Sequence, residues 1–172
     1  QKISFRFDNK QYSFSTKLIG RVQIKNLLMA IMAAMKSKIS LEKIIKILPK
    51  IKPVNGRLEK LGNLNNYGIV ILDYAHTPDA LKTCIKNVKE QFKLRKINLV
   101  FGCGGDRDKY KRKIMGNIAD KYCDKIYLTD DNPRSEDPKK IRRDIKSSIS
   151  KNKILEIQSR ESAIKSAILN IK

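Results

Sequence analysis

From Ile69 onward the chain repeats one unit: a short apolar run, a polar loop, then a segment with apolar residues at helical spacing. The runs Ile69–Leu72, Ile97–Phe101, Ile126–Thr129 and Ile154–Ile157 lack the alternation of a half-exposed strand, as expected of strands buried on both faces of a parallel sheet. Between them lie helical stripes: Leu81, Cys84, Ile85, Val88 and Phe92; Ile114, Met115, Ile118, Ala119 and Tyr122; Ile141, Ile145 and Ile149. A last one, with Ser159 as N-cap, carries Ile164, Ala167 and Ile168. Strand and helix in strict alternation imply right-handed βαβ crossovers, which predicts an α/β fold with a doubly wound, mostly parallel sheet.

The first third of the chain follows another rhythm. Lys2–Phe7 and Gln11–Thr16 alternate with period two around Asp8-Asn9-Lys10, the pattern of a hairpin. Over Arg21–Lys36 the apolar residues Ile24, Leu27, Leu28, Ile31, Met32 and Met35 share one helical face. Ser40 then caps a second helix with Leu41, Ile44, Ile45 and Leu48 inward and Pro49 near its end. The stretch Lys50–Gly56, with Pro53, Asn55 and Gly56, breaks the pattern, and the division expected there is residues 1–52 and 53–172.

In an open α/β sheet ligands bind outside the carboxyl ends of the strands, and three polar clusters fall on that edge. The most informative is T-D-D-N-P-R, Thr129–Arg134, which has neither helical nor strand periodicity. Pro133 fixes its own φ and biases Asn132 towards extended backbone. Arg134 presents a planar fork suited to a carboxylate, and Asn132 carries both a donor and an acceptor. Together they suit a zwitterionic ligand; the plainer alternative is an Asp-Asn-Pro turn. The second cluster, G-C-G-G-D-R-D from Gly102, lets backbone approach a ligand closely, although it is not a Walker A loop; the alternative is a tight turn. Within it Arg107 is the clearer clue, since ordering a guanidinium on a glycine-rich loop is costly unless it grips an anion. The third is D-Y-A-H-T-P from Asp73. Asp73 suits a ribose diol, and His76 precedes a helix start where Thr77 caps and Pro78 occupies the first turn, a place that favours a phosphate. Both residues equally serve to organise a turn. Arg57, just past the boundary, either covers a nucleotide or is a solvated charge.

Composition narrows the partners. A net charge of +21 ordinarily points to nucleic acid, yet lysine is spread through every element, aromatics are only 6% and Trp is absent. No nucleic-acid partner is therefore expected; a basic nucleic-acid-binding module is the alternative, with affinity that falls steeply with salt. Cys84, Cys103 and Cys123 show no CxxC spacing, which fits a reducing cytoplasm, and one histidine cannot build a multi-His metal site. No apolar run is long enough to span a membrane, and the start at Gln1 reads as the beginning of a fragment.

Five strings in register resemble the Mur ligases: L-I-G-R-V-Q-I-K-N from Leu18, G-R-L-E from Gly56, D-Y-A-H-T-P-D-A-L from Asp73, F-G-C-G-G-D-R-D-K from Phe101 and D-D-N-P-R from Asp130. The resemblance implies a Rossmann-like carboxyl-terminal domain preceded by a hairpin-plus-helices remnant of the central ATPase domain. In that family D-N-P-R marks enzymes that take meso-diaminopimelate. The resemblance assigns Asn132 and Arg134 to that amino acid, with Asp131 and Pro133 shaping the loop and Arg107 helping to bind a carboxylate. It assigns Asn26, Arg57, Asp73 and His76 to ATP. The implied reaction is ATP-dependent amide formation through an acyl phosphate on UDP-MurNAc-L-Ala-D-Glu, with Mg²⁺, in a cytoplasmic monomer acting on small molecules in cell-wall synthesis. A folylpolyglutamate synthetase-like ligase is the sister alternative.

There are departures from the family pattern. Gln23 stands where the family usually has Asn. The UDP-sugar domain, the P-loop, the carbamylated lysine and the final G-K-G-H-E segment have no counterpart here. The resemblance therefore predicts no catalytic residue and no metal ligand within these residues, and no activity from them alone.

Overall fold

The computed structural model describes residues 1–64 and 68–171. They form two compact units, Gln1–Leu61 with Ile71–Tyr74, and Gly62–Val70 with Ala75–Lys172.

In the first unit β1 (Lys2–Phe7) and β2 (Lys10–Ser15) pair antiparallel with Phe7 opposite Lys10. Lys10, expected in the turn, therefore belongs to β2. Asp8 and Asn9 alone make the connection, at φ 45° and 59°. A two-residue hairpin matched to strand twist needs positive φ at both positions, and short polar side chains tolerate it. Helices α1 (Arg21–Lys36) and α2 (Leu41–Ile47) follow, then a 3-10 turn over Leu48–Lys50. Phe14, Leu27, Ile31, Leu41, Ile44 and Leu48 form the core. Each such side chain contributes about 1.5–3 kcal/mol of burial. Met32, placed inward by its spacing, is 66% exposed. It lies five residues beyond Leu27, well off the axis of the Leu27–Ile31 face. Ser40 occupies the N-cap position of α2, but its side chain makes no capping bond.

Strand β3 (Glu59–Leu64) was not legible as a strand, because Lys60, Gly62 and Asn63 dilute its pattern. It pairs with β4 (Gly68–Leu72) in a two-stranded sheet. The expectation that Ile69–Leu72 joins the main parallel sheet is corrected accordingly: among the described residues its hydrogen-bonded neighbour is β3, the strand next to it in sequence.

The second unit carries the predicted α/β architecture. Strands β5 (Asn98–Phe101), β6 (Lys125–Leu128) and β7 (Ile154–Glu156) form a parallel sheet in that order. Helices α3 (Pro78–Gln91), α4 (Tyr110–Tyr122), α5 (Pro138–Lys146) and α6 (Arg160–Leu169) flank it. On one face Ile126 and Leu128 pack with Leu81, Ile85, Met115, Ala119, Ile141 and Ile145 of α3, α4 and α5. On the other, Tyr127 meets Ala163 and Ala167 of α6. Successive residues of β6 thus serve opposite faces, which is why the run showed no polar alternation. Ile114 and Ile164, both assigned inward by periodicity, are 49% and 42% exposed. In α6 the small Ala163, fully buried, takes the sheet-facing position instead.

The helix starts are built as their sequences require. Thr77 Oγ1 accepts from Ala80 N at 3.3 Å ahead of Pro78, Asp137 Oδ1 accepts from Lys139 N at 2.9 Å, and Ser159 Oγ accepts from Ser162 N at 3.3 Å.

Candidate functional site

Phe101 and Leu128 are partners in the register of β5 and β6, so the loops that follow them leave the sheet side by side. The first peptide of the second loop is held in place: Thr129 N donates to Phe101 O at 3.0 Å and Thr129 Oγ1 donates to Gln158 O at 3.0 Å. Asp130 is tied down as well. Its amide donates to Gln158 O at 3.1 Å, its carbonyl accepts from Arg160 Nε at 3.2 Å, and its carboxylate is ion-paired to Arg142. Arg142 is itself buried and also donates to Glu156 at 2.9 Å. Asp130 is thereby consumed in anchoring the loop.

The next four residues turn outward. Asp131 Oδ1 accepts from Asn132 N at 2.8 Å, and Asn132 Oδ1 accepts from Arg134 N at 3.2 Å, a pair of local turns that curl the chain around Pro133. Arg134 sits at φ 50°, an unusual region for a residue other than glycine. Its Nη1 donates to Gly105 O at 2.7 Å, and among the described residues its other guanidinium nitrogens are unengaged. One edge of the fork is fixed and the rest faces outward.

The glycine-rich loop meets this turn backbone to backbone. Gly105 N donates to Asn132 O at 2.9 Å. A Cβ on Gly105 would run into the Pro133 carbonyl, and one on Gly102 into the Thr129 carbonyl. Glycine is needed at both for close approach, so the G-C-G-G run is more than a tight turn. Asp106, at φ 50°, closes the junction: its carboxylate accepts from Ser135 Oγ at 2.7 Å and Ser135 N at 3.1 Å. The hydroxyl and then the amide of Ser135 hold its carboxyl below the usual range. Arg107, beside it, is exposed and makes no hydrogen bond or ion pair among the described residues. The Cys103 thiol behind the loop is pushed up to about 11 by burial and rests 3.8 Å from Met115 Sδ, which makes it a packing group.

Beneath both loops lies a charge network that the sequence did not reveal. Arg112 of α4 is fully buried, with Nη2 2.7 Å from Glu136 Oε1 and Nη1 3.0 Å from Asp144 Oδ2. Glu136 Oε1 also accepts the Asp106 amide at 2.7 Å. The Arg112 guanidinium foremost, then that amide, brings the Glu136 carboxyl from 4.5 to about 2. A carboxyl depressed in the folded state contributes stability that is present above its unfolded value and lost as pH falls through its folded one. The loss therefore belongs to the window from about pH 4.5 down to about pH 2. Glu136→Gln is expected to flatten the acid limb of the stability curve there and lower the plateau near neutrality; an unchanged acid limb in urea titrations at stepped pH would contradict this. The only available sequence signal was the position of Glu136 two residues after Arg134. Arg112 gave none, as one of 38 basic residues.

The residues expected at nucleotide divide between the units. In the first, Asp73 Oδ2 accepts from Leu58 N at 2.8 Å, Tyr74 N donates to Gly56 O at 2.8 Å, and the Arg57 guanidinium lies 5.4 Å from the Tyr74 ring centroid. Gln23 Nε2 donates to Arg57 O at 2.8 Å, so this departure from the family pattern supports the Arg57 backbone. Asn26, one turn along α1 from Gln23, is exposed. In the second unit His76, also exposed, gives its carbonyl to Lys111 Nζ at 2.9 Å. Among the described residues no group of three or more His, Cys, Asp or Glu side chains is placed to hold a metal ion, and no helix is long and apolar enough to cross a membrane.

A three-stranded parallel sheet with helices on both faces and two interlocked loops at its carboxyl edge defines an α/β ligand-binding domain. Residues 56–172 match the family described as Mur ligase, glutamate ligase domain. The chain belongs to the Mur ligase family. It is 48% identical over its full length to the UDP-N-acetylmuramoyl-L-alanyl-D-glutamate--2,6-diaminopimelate ligase of Rickettsia felis, covering 32% of that protein. A solved structure of a ligase of the same description aligns over 92% of this chain and 32% of its own, with 34% identity and a TM-score of 0.64. A folylpolyglutamate synthase from Mycobacterium tuberculosis aligns with a TM-score of 0.73 over 91% of this chain and 35% of its own, at 19% identity, a likeness of fold alone. The chain spans about a third of the length of the curated relatives it matches.

Proposed function

We propose that the full-length protein carrying this chain is an ATP-dependent ligase that adds meso-diaminopimelate to UDP-MurNAc-L-Ala-D-Glu in peptidoglycan synthesis. In this reading the D-glutamyl carboxylate is activated as an acyl phosphate, and the amine of diaminopimelate displaces phosphate to form the amide. The observation that carries the reading is the D-N-P-R turn seated on the glycine-rich loop, with the free edge of Arg134 and the unpaired Arg107 on the same sheet edge. Two guanidinium groups and an amide suit an amino acid with two carboxylates and two amines. The 48% identity to a diaminopimelate ligase supports it further.

The role of these residues is positioning. Asn132 and Arg134 hold the acceptor, Asp131 and Pro133 shape the turn, and Arg107 binds a carboxylate, which orients the amine for attack. Asn26, Arg57, Asp73 and His76 contact ATP. Mg²⁺ would accompany ATP and stabilise the charge that develops on the transferred phosphoryl group. A domain boundary near residue 52 is supported by the family match, which begins at residue 56. The reaction is proposed to run in the cytoplasm on small molecules, by a monomer.

The test is phosphate release by the full-length protein with UDP-MurNAc-L-Ala-D-Glu and ATP, comparing meso-diaminopimelate with L-lysine and L-glutamate. Strong preference for diaminopimelate is expected. Equal use of lysine would remove the loop as the specificity element, and use of glutamate would favour the folylpolyglutamate-type alternative.

A further inference from the structure

We propose that Glu136, held by Arg112, is a positioning residue that sets the direction of Arg134 and thereby the selection of the acceptor amino acid. This rests on the reading of the D-N-P-R turn as the amino-acid site.

The two loops at the sheet edge contain two residues other than glycine in left-handed backbone, Asp106 and Arg134, each at φ 50°. Such conformations persist only where the surroundings over-determine them. Glu136 is the group that does so. Its Oε1 takes the Asp106 amide at 2.7 Å and Arg112 Nη2 at 2.7 Å, while its own amide donates to Pro133 O at 3.0 Å. One residue therefore grips both loops. Asp106 completes the lock through Ser135, the neighbour of Arg134. Arg112 cannot follow a displaced Glu136, because its other arm is committed to Asp144 at 3.0 Å and its side chain is fully buried. Arg134 Nη1 is tied to Gly105 O, one residue before Asp106, so a shift of the glycine-rich loop turns the guanidinium with it. A small rotation of a charged fork costs much of its complementarity to a carboxylate, whereas a flexible lysine side chain in its place would re-aim.

The experiment uses the full-length protein and steady-state kinetics with each substrate varied in turn. Two variants are compared with Arg134→Ala. Glu136→Gln keeps shape and removes the charge. Asp106→Asn keeps the left-handed backbone, which asparagine tolerates, and weakens the double contact to Ser135. Both are expected to raise the KM for meso-diaminopimelate roughly tenfold, as for loss of one charge-assisted bond, and to narrow the preference over lysine, with the KM for ATP and for UDP-MurNAc-L-Ala-D-Glu unchanged. Unchanged KM for diaminopimelate in both variants, with Arg134→Ala strongly impaired, overturns this proposal alone. An unimpaired Arg134→Ala overturns the amino-acid site itself. A parallel rise in KM for all three substrates would show a general structural role and also overturns the proposal.

Discussion

Arg134→Ala in the full-length protein is expected to raise the KM for meso-diaminopimelate on the order of 100-fold while leaving the KM for ATP unchanged. The size follows from what the side chain has available. Nη1 is spent on Gly105 O, which fixes the plane, and the remaining donors are free to meet a carboxylate in parallel. Two charge-assisted bonds at about 1.5 kcal/mol or more each amount to about two decades in binding. Alanine also removes one of the bonds between the glycine-rich loop and the turn, while Gly105 N to Asn132 O and the Asp106 contacts to Ser135 and Glu136 remain, so most of the loss should come from the ligand contacts. Arg134→Lys should recover little, because an ammonium cannot bond the Gly105 carbonyl and a carboxylate in one plane. The check is initial-rate phosphate release with each substrate varied separately. A KM for diaminopimelate within about twofold of the parent would refute the role of Arg134.

Arg112→Met is expected to destabilise the second unit by about 3 kcal/mol in urea unfolding. Methionine fills much of the same space, so little of this comes from a cavity. It comes from Glu136 and Asp144, two carboxylates brought together around a guanidinium that is no longer there. Removing one partner of a buried pair leaves the others uncompensated, whereas removing all of the charge is often tolerated. Arg112→Met combined with Glu136→Gln and Asp144→Asn should therefore regain part of the loss, a non-additive result expected of residues in contact. Additive losses across the three sites would mean that the network is not the cause.

Much of the second unit was legible because the forces that make it are local. Apolar runs of four or five residues between helical stripes, with Thr77 and Ser159 standing where caps must stand, leave few arrangements other than a parallel sheet with crossover helices. The turn through Asn132, Pro133 and Arg134 was legible for a related reason, since proline and Asx geometry act over two or three residues. Where local pattern misled, packing was the cause. Met32, Ile114 and Ile164 have the right spacing, but a helix in contact on one side buries only a narrow stripe. Strand β3 was hidden because its residues carry little strand preference, and it exists through its pairing with β4.

Amino-acid order alone therefore determined the α/β rhythm and the loops after β5 and β6 that carry Arg107, Asn132 and Arg134, because each depends on residues within a few positions of one another, whereas Asp73 follows β4, which lies outside the parallel sheet. Tertiary structure decided which of those groups would be spent and which left free. Asp130 is bound to Arg142 twelve positions away, Glu136 to Arg112 twenty-four away, and Arg134 to Gly105 twenty-nine away. Charge acts through space, so sequence separation carries no trace of such partnerships in a chain where lysine and arginine occur almost everywhere.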